Sequence, residues 1–254
     1  MTTVITGSAS GIGAAIRVRL EKAGEKVIGV DLKDAEVIAD LSGKEGCAAA
    51  IAGVKQHCGN QLDRFVASAG LGPDTKNPWL IASINYFGAI RMLDGLFEIL
   101  QRGSNPSAVI ISSDAAQMAP MEDDLFVSAA LNDNEAEAKR IITESGDPIN
   151  AYMRSKNAVA RAVRHRAVTW GSAGVRLNAV APGPVKTPML QRVMDNPAFA
   201  DHSQSMPKPL GRIGEPEEIA SVVTFLLSQE ASYVHGAIYY IDGGRDARIR
   251  PDCF

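Results

Sequence analysis

Residues 2–31 read TTVITGSASGIGAAIRVRLEKAGEKVIGVD, and this stretch decides the fold. Thr3–Thr6 is a β-branched run, glycines follow at positions 7, 11 and 13, and an amphipathic pattern runs from Ile12 to Ala23. Gly24 ends that pattern, and Lys26–Val30 is a second apolar run closed by Asp31. Strand, glycine turn, helix and strand in this order form a crossover unit with parallel strands. The glycines let the backbone turn sharply and approach a pyrophosphate, whose charge is met by N–H groups and the dipole at a helix N-terminus. Asp31 stands 18 residues after Gly13, where a carboxylate accepts both hydroxyls of a ribose. A plain turn and a solvated strand-end Asp are the competing readings. A carboxylate here would repel a 2′-phosphate, which favours NAD over NADP, with Lys33 close enough to keep NADP open.

The same rhythm continues along the chain. Leu62–Ser68, Ala108–Ser112, Val175–Val180 and Ala237–Ile241 read as strands, and Ser83–Leu100, Tyr152–Trp170 and Pro216–Leu227 as helices. Apolar runs without two-residue alternation fit strands covered on both faces. The expected fold is α/β, a single Rossmann-type doubly wound parallel sheet with helices on both faces, forming one domain over 1–254.

Composition agrees with a globular enzyme-sized body: 254 residues, 46% hydrophobic and 22% charged. Such a chain buries enough surface to need no disulfide or metal staple. A net charge of −3 argues against nucleic acid as a partner. Cys47, Cys58 and Cys253 are scattered and read as free thiols. His57, His165, His202 and His235 show no HxxxH or HExxH spacing, so no metal site is expected. Ile219–Leu227, the longest strongly apolar run, contains Ser221 and Thr224 and is too short for a bilayer, so no membrane is expected. The opening MTTVITGSASG lacks a signal-peptide pattern, and a cytoplasmic location is expected.

One segment breaks the rhythm. Between Asp114 and Asn150 there are nine acidic residues and two basic ones, a local −7 that leaves +4 on the rest. Glu135–Ser145 has helical character, so about 114–147 reads as an ordered acidic excursion.

Tyr152 and Lys156 are four apart on a predicted helix and share one face. A phenol of ordinary pKa, about 10, is a poor base at neutral pH. A neighbouring ammonium and an oxidised nicotinamide both favour phenolate. YxxxK alone is commonly a surface pair. Here Ser112-Ser113 end a strand on the carboxyl side of the sheet, where open α/β sheets bind ligands.

With TGxxxGxG at Thr6–Gly13, Asn85, Ser113, Tyr152 with Lys156, and Pro182-Gly183, the chain resembles the short-chain dehydrogenase/reductase family over essentially its whole length. The stretches DAEVIADLS (34–42), AGLGP (69–73), INYFGA (84–89), AGVRLN (173–178), ASYVHGA (231–237) and IDGG (241–244) extend the likeness to members handling 3α-hydroxysteroids and other carbonyl compounds. The resemblance implies a Tyr152 acid/base, with Lys156 lowering its pKa and holding the nicotinamide ribose. It implies that Ser113, by family spacing rather than Ser112, polarises the substrate oxygen, and that Asn85 anchors a water relaying protons to Lys156. For NAD it implies Gly7, Ser8, Ser10, Gly11, Ile12 and Gly13 around the pyrophosphate, Asp31 on the ribose, and Asp40 and Leu41 at the adenine. Ala69 and Gly70 would support the cofactor, and Val185 and Thr187 the carboxamide.

A substrate lid is expected over about 188–210, with Met189 and Leu190 as substrate contacts and Met194, Phe199 and Met206 nearby. Flexible thioethers suit a large apolar carbonyl compound such as a steroid. The chain departs from the family in three places. Ala67-Ser68-Ala69-Gly70 replaces NNAG, the stretch from Gly70 to Asn85 is short, and Ser113 and Tyr152 are 39 apart because the acidic excursion intervenes. That insertion is expected to block a common family interface and send a homodimer through Pro216–Ile241. Competing functions are another alcohol dehydrogenase, for a sugar alcohol or a 3-oxoacyl thioester, and a non-catalytic dinucleotide sensor.

Overall fold

Successive strand residues point to opposite faces of a sheet, and here both faces are apolar. In β1 (Thr2–Thr6), Val4 joins one core and Ile5 the other. The same split separates Phe65 from Val66 in β4 (Arg64–Ala67) and Ile110 from Ile111 in β5 (Ser107–Ile111). The remaining strands are β2 (Lys26–Asp31), β3 (Val37–Ile38), β6 (Arg176–Pro182) and β7 (Ile238–Ile241). The computed structural model describes residues 1–118, 121–199 and 206–252. Among them, seven parallel strands form one sheet in the order β3-β2-β1-β4-β5-β6-β7. This is the doubly wound sheet expected from the sequence. Its order reverses between β1 and β4, and crevices for ligands open at such a switch point.

The helices are α1 (Gly11–Lys22), α2 (Lys44–Cys58), α3 (Pro78–Ala82), α4 (Ala89–Leu100), α5 (Leu125–Leu131), α6 (Glu135–Ser145), α7 (Pro148–Ser172), α8 (Pro188–Asp195), α9 (Pro216–Leu227) and α10 (Arg245–Ile249). Helices α1 and α9 cover one face through Ile16, Leu20, Ile219, Val223 and Leu226. Helices α2, α4 and α7 cover the other through residues such as Val54, Leu96 and Val159. The 78–100 segment is long and apolar enough to cross a membrane by composition, but most of it is buried in this core.

Two helix starts differ from the sequence reading, and two elements were absent from it. Helix α7 begins at Pro148, because Asp147 caps it by accepting from Ile149 N (2.8 Å) and proline is pre-organised for a first turn. The helix expected from Ser83 begins at Pro78, capped by Asn77, and is broken by a π turn at Ser83–Gly88. Strand β3 and helix α2 carried too weak a periodicity to be read.

The acidic excursion is the ordered helical insertion expected, with α6 at Glu135–Ser145, and it packs into the core. Phe126 and Val127 of α5, with Ala138 and Ile142 of α6, join the α7 core, and Tyr86 Oη donates to Ala130 O (2.9 Å). Its charge is largely paired: Asp124 with Arg154 (2.9 Å), Glu135 with Arg91 (2.5 Å), and Glu137 and Glu144 with Arg140. Asp114, counted above as part of this acidic surplus, is buried against Arg245.

On the far side of the sheet, buried Arg176 terminates α9. Its guanidinium donates to Leu226 O (2.7 Å), a carbonyl of the last helical turn, and to Ser228 O (3.0 Å) and Ala231 O (2.9 Å) in the turn that follows. Replacing Arg176 by Met removes these bonds and leaves the Leu226 carbonyl without this donor, which should cost about 3 kcal/mol, read as a lower urea midpoint. An unchanged midpoint would show that water reaches that carbonyl.

Candidate active site

Where β1 and β4 diverge, a cavity of about 680 Å³ opens at the carboxyl edge of the sheet. Its floor is the glycine loop. Gly7 (φ +70°) and Gly11 (φ +55°) are left-handed, which glycine adopts without steric cost. A Cβ on Gly7 would sit 2.7 Å from Ala69 N, and one on Gly13 would sit 2.0 Å from Gly7 O. The loop is therefore pressed against the β4 exit, and α1 against the loop. Thr6 Oγ1 ties the two exits by accepting from Ser68 N (3.1 Å) and Ala69 N (3.2 Å). This threonine stitches the sheet where the two asparagines of NNAG are missing.

The loop's polar groups face two ways. Gly7, Ser10, Gly11, Ile12 and Gly13 line the cavity, and Ser10 caps α1 without a side-chain hydrogen bond, so no side chain competes for the first N–H groups. Ser8 does not line the cavity; it is buried, and its hydroxyl oxygen has no partner. Asp31 lines the cavity at the end of β2, with Oδ2 accepting from Ala9 N (3.0 Å) and Oδ1 from Leu32 N (2.7 Å). Asp40 and Leu41 line the same end, as does Leu32, whereas Lys33 is exposed and absent from the lining.

The opposite wall brings together the residues singled out for chemistry. Lys156 is buried, and its Nζ donates to Ile111 O (2.9 Å). Its own carbonyl accepts from Ser112 Oγ (2.8 Å). Ser112 thus spends its hydroxyl on the helix, and Ser113 lines the cavity together with Tyr152. Lys156 Nζ lies 5.9 Å from the Tyr152 ring centroid. Burial lowers the Lys156 ammonium to about 8. Burial also pushes Tyr152 up to about 12; Ser113 pulls against this and the Asp114 charge adds to it.

Asn85 belongs to the π turn and does not line the cavity. Its amide grips Leu71, Oδ1 accepting from Leu71 N (2.7 Å) and Nδ2 donating to Leu71 O (3.0 Å), and Nδ2 also donates to Ser155 Oγ on α7 (3.5 Å). Gly70 makes room behind it: a Cβ there would lie 3.1 Å from Asn85 Oδ1 and 3.6 Å from Lys156 Nζ. Asn85, Gly70 and Lys156 therefore converge, and π turns recur at such functional positions.

The third wall comes from the segment after β6. Val185, Thr187, Met189 and Leu190 all line the cavity, and so do Phe199 and Met206; Met194 points outward. Thr187 caps α8 by accepting from Leu190 N (3.2 Å), and its methyl would meet a Cβ on Gly11 at 3.3 Å. Within the expected lid, residues 200–205, including His202, lie outside the described residues, as does Cys253. Two ion pairs at this site were not legible in the sequence. Arg192 of α8 pairs with Asp74 (2.9 Å) in the loop after β4, and Arg245 pairs with Asp114.

A sheet with this switch point, this glycine loop and a Ser–Tyr–Lys set on one cavity defines a dinucleotide-type oxidoreductase fold. The chain belongs to the short-chain dehydrogenase family: residues 1–128 match the family described as short chain dehydrogenase, and residues 138–246 match one described as enoyl-(acyl carrier protein) reductase. It is 47% identical over 253 residues to the 3-alpha-hydroxysteroid dehydrogenase/carbonyl reductase of Comamonas testosteroni, covering 99% of this chain and 98% of that one. It is 30% identical to the levodione reductase of Leifsonia aquatica, over 96% of this chain and 93% of that one. Among solved structures it superposes, with a TM-score of 0.98 and 43% identity over the full length of both chains, on the 3-alpha-hydroxysteroid dehydrogenase of Pseudomonas sp. B-0831, which is complexed with NADH.

Proposed function

We propose that this chain is a cytoplasmic, NAD-dependent oxidoreductase that interconverts a 3α-hydroxysteroid and its 3-oxosteroid and also reduces other apolar aldehydes and ketones. The convergence of Ser113, Tyr152 and Lys156 on the cavity floored by the glycine loop carries this reading. The likeness to the Comamonas and Pseudomonas proteins supports the steroid as substrate.

The residues present fit a dinucleotide. The cradle at Gly7 and Gly13, which a Cβ would fill, and the uncapped start of α1 suit a pyrophosphate. Ser8, with its buried and unpartnered hydroxyl, completes that turn. The Asp31 carboxylate suits two ribose hydroxyls and repels a 2′-phosphate, with Asp40 and Leu41 at the adenine end. Ala69 and Gly70 would support the cofactor from the β4 exit, and Val185 and Thr187 would hold the carboxamide. When bound, the nicotinamide supplies or accepts the hydride.

The proton chemistry belongs to the protein. Ser113 donates a hydrogen bond to the substrate oxygen. Tyr152 gives that oxygen a proton in reduction and takes it back in oxidation. Lys156, whose Nζ lies 5.9 Å from the Tyr152 ring centroid, opposes the burial that pushes Tyr152 up to about 12. Asn85, converging on Lys156 behind Gly70, anchors the water through which Lys156 exchanges protons with solvent. Met189 and Leu190, within a lid over about 188–210, bound the apolar side of the substrate.

Oxidation needs the phenolate, so its rate rises with pH through the Tyr152 ionisation; reduction needs the phenol and falls over the same interval. Tyr152→Phe should lower turnover about a thousandfold while NADH, followed by its fluorescence, binds nearly as tightly. NADH formation with androsterone, beside sorbitol and a 3-hydroxyacyl thioester, tests the substrate. Steroid oxidation is expected, and its absence would overturn the reading.

We further infer a homodimer of one-domain chains joined through Pro216–Ile241. Helices α5 and α6, in the insertion at about 114–147, pack over α3 and α7, whereas Phe225 and Tyr233 are exposed and β7 is an edge strand. Phe225→Glu should halve the mass measured by light scattering. A dimer that persists, or a wild-type monomer, would contradict this interface.

A further inference from the structure

The carboxyl edge of the sheet holds a buried ion pair that the proposed chemistry does not use. Arg245 opens α10, is 4% exposed, and places Nη1 2.5 Å from Oδ2 of Asp114, itself 6% exposed. The turn before α10 aims this arginine. Gly243 (φ +66°) and Gly244 (φ +87°) are left-handed, and Asp242 accepts from Gly244 N (2.9 Å) and Asp246 N (2.6 Å). The turn lies so close to the β6 exit that a Cβ on Gly183 would reach Asp242 Cα at 2.8 Å.

The other end of the pair reaches the reacting groups. Asp114 follows Ser113, and its Oδ1 accepts from Ser113 Oγ (3.3 Å). Ser113 shares the cavity wall with Tyr152 and draws the phenol's pKa down against burial. Arg245, Asp114, Ser113 and Tyr152 form one polar chain from the C-terminal turn to the phenol, and Arg245 lines the same cavity.

Packing alone does not call for charge here. Apolar side chains of similar volume hold buried elements together as well as an ion pair, often better. The chemistry supplies two reasons. A serine hydroxyl has one proton, and a proton donated to Asp114 is withheld from a substrate oxygen. A bare carboxylate beside Tyr152 also opposes formation of the phenolate. The charged groups facing Tyr152 are Lys156 from α7 and Asp114 from the turn after β5, and Asp114 in turn faces Arg245 and Asp242 of the C-terminal turn. Asp114 is the acid of this set nearest the phenol. Burial pushes its carboxyl upward, and Arg245 opposes that push and holds it as half of a neutral pair.

We propose that Arg245 is a positioning residue of the reaction: by pairing with Asp114 it weakens that carboxylate's hold on the Ser113 hydroxyl and shields Tyr152 from the Asp114 charge. The inference rests on Tyr152 as the acid/base. Removing Arg245 exposes the phenol to an uncompensated carboxylate, which disfavours phenolate. Removing the Asp114 charge leaves the cation alone, which favours it.

The test compares Arg245→Met, Asp114→Asn and the double variant. Two readouts are the pH profile of 3α-hydroxysteroid oxidation at saturating NAD and the ultraviolet titration of tyrosinate in NAD-loaded enzyme. Because the chain has five tyrosines, each variant is titrated against the same variant carrying Tyr152→Phe. Arg245→Met should move the Tyr152 ionisation about one pH unit upward and Asp114→Asn about as far downward, with the double variant close to wild type. A purely structural pair would lower turnover without moving the ionisation, and that outcome, or shifts of one sign in both single variants, overturns the inference. If Arg245→Met fails to fold, the near-isosteric Asp114→Asn decides alone by the direction of its shift. A wild-type ionisation that survives Tyr152→Phe removes the acid/base reading and this inference with it. One that disappears with Tyr152 but stays put in the single variants removes only the inference.

Discussion

A buried ammonium organises the carboxyl edge of this sheet. Taking a cation out of water is costly unless it is well hydrogen bonded, and Lys156 meets that need with the carbonyl of Ile111, the last residue of β5. At the same residue the helix carbonyl accepts from Ser112 Oγ, so α7 is clamped to the end of β5 through both side chain and backbone. Tyr152 lies one turn earlier on the same helix face and is thereby delivered to Ser113. The absence of a side chain at Gly70 lets Asn85 approach from the other side. Without the clamp at Lys156 these groups would belong to separate elements with nothing to register them.

The second constraint is the parting of β1 and β4. Two loops must leave neighbouring strands in different directions yet stay close enough to share one ligand. Glycine at 7 and 13 permits the contact, and Thr6 enforces it through two backbone amides. The cavity that results has a backbone-rich, side-chain-poor floor at one end and a Ser–Tyr–Lys wall at the other. That wall resists charge, because burial pushes Tyr152 and Lys156 toward their neutral forms. An environment that resists charge makes each nearby charge count for more, which gives the Asp114–Arg245 pair its leverage.

Much of this was legible in the sequence. The first crossover was, because β-branched runs and glycines sit at spacings with few other structural uses. Pro216–Leu227 and Glu135–Ser145 fall where their patterns put them, since proline, acidic first turns and apolar spacing agree there. The π turn around Asn85 was not legible, because its composition is that of an ordinary helix and only the backbone hydrogen bonds distinguish it. Strand β3 is two residues long, and α2 buries only Cys47, Ala50 and Val54, too little for a clear stripe. Asp114 was misjudged for a different reason. Counting charge along the chain cannot tell which acid folds inward, and its partner is 131 residues away. The local count of −7 is correct as arithmetic and misleading as a picture of the surface.

The account stands on hydrogen moving between a carbinol carbon and the nicotinamide while Tyr152 handles the proton. The most direct measurement uses a 3α-hydroxysteroid deuterated at C3, incubated with the enzyme and NAD, with the coenzyme product analysed by mass spectrometry. The account predicts one deuterium in each NADH formed and none released to solvent. Unlabelled NADH, or deuterium appearing in the water, would contradict it.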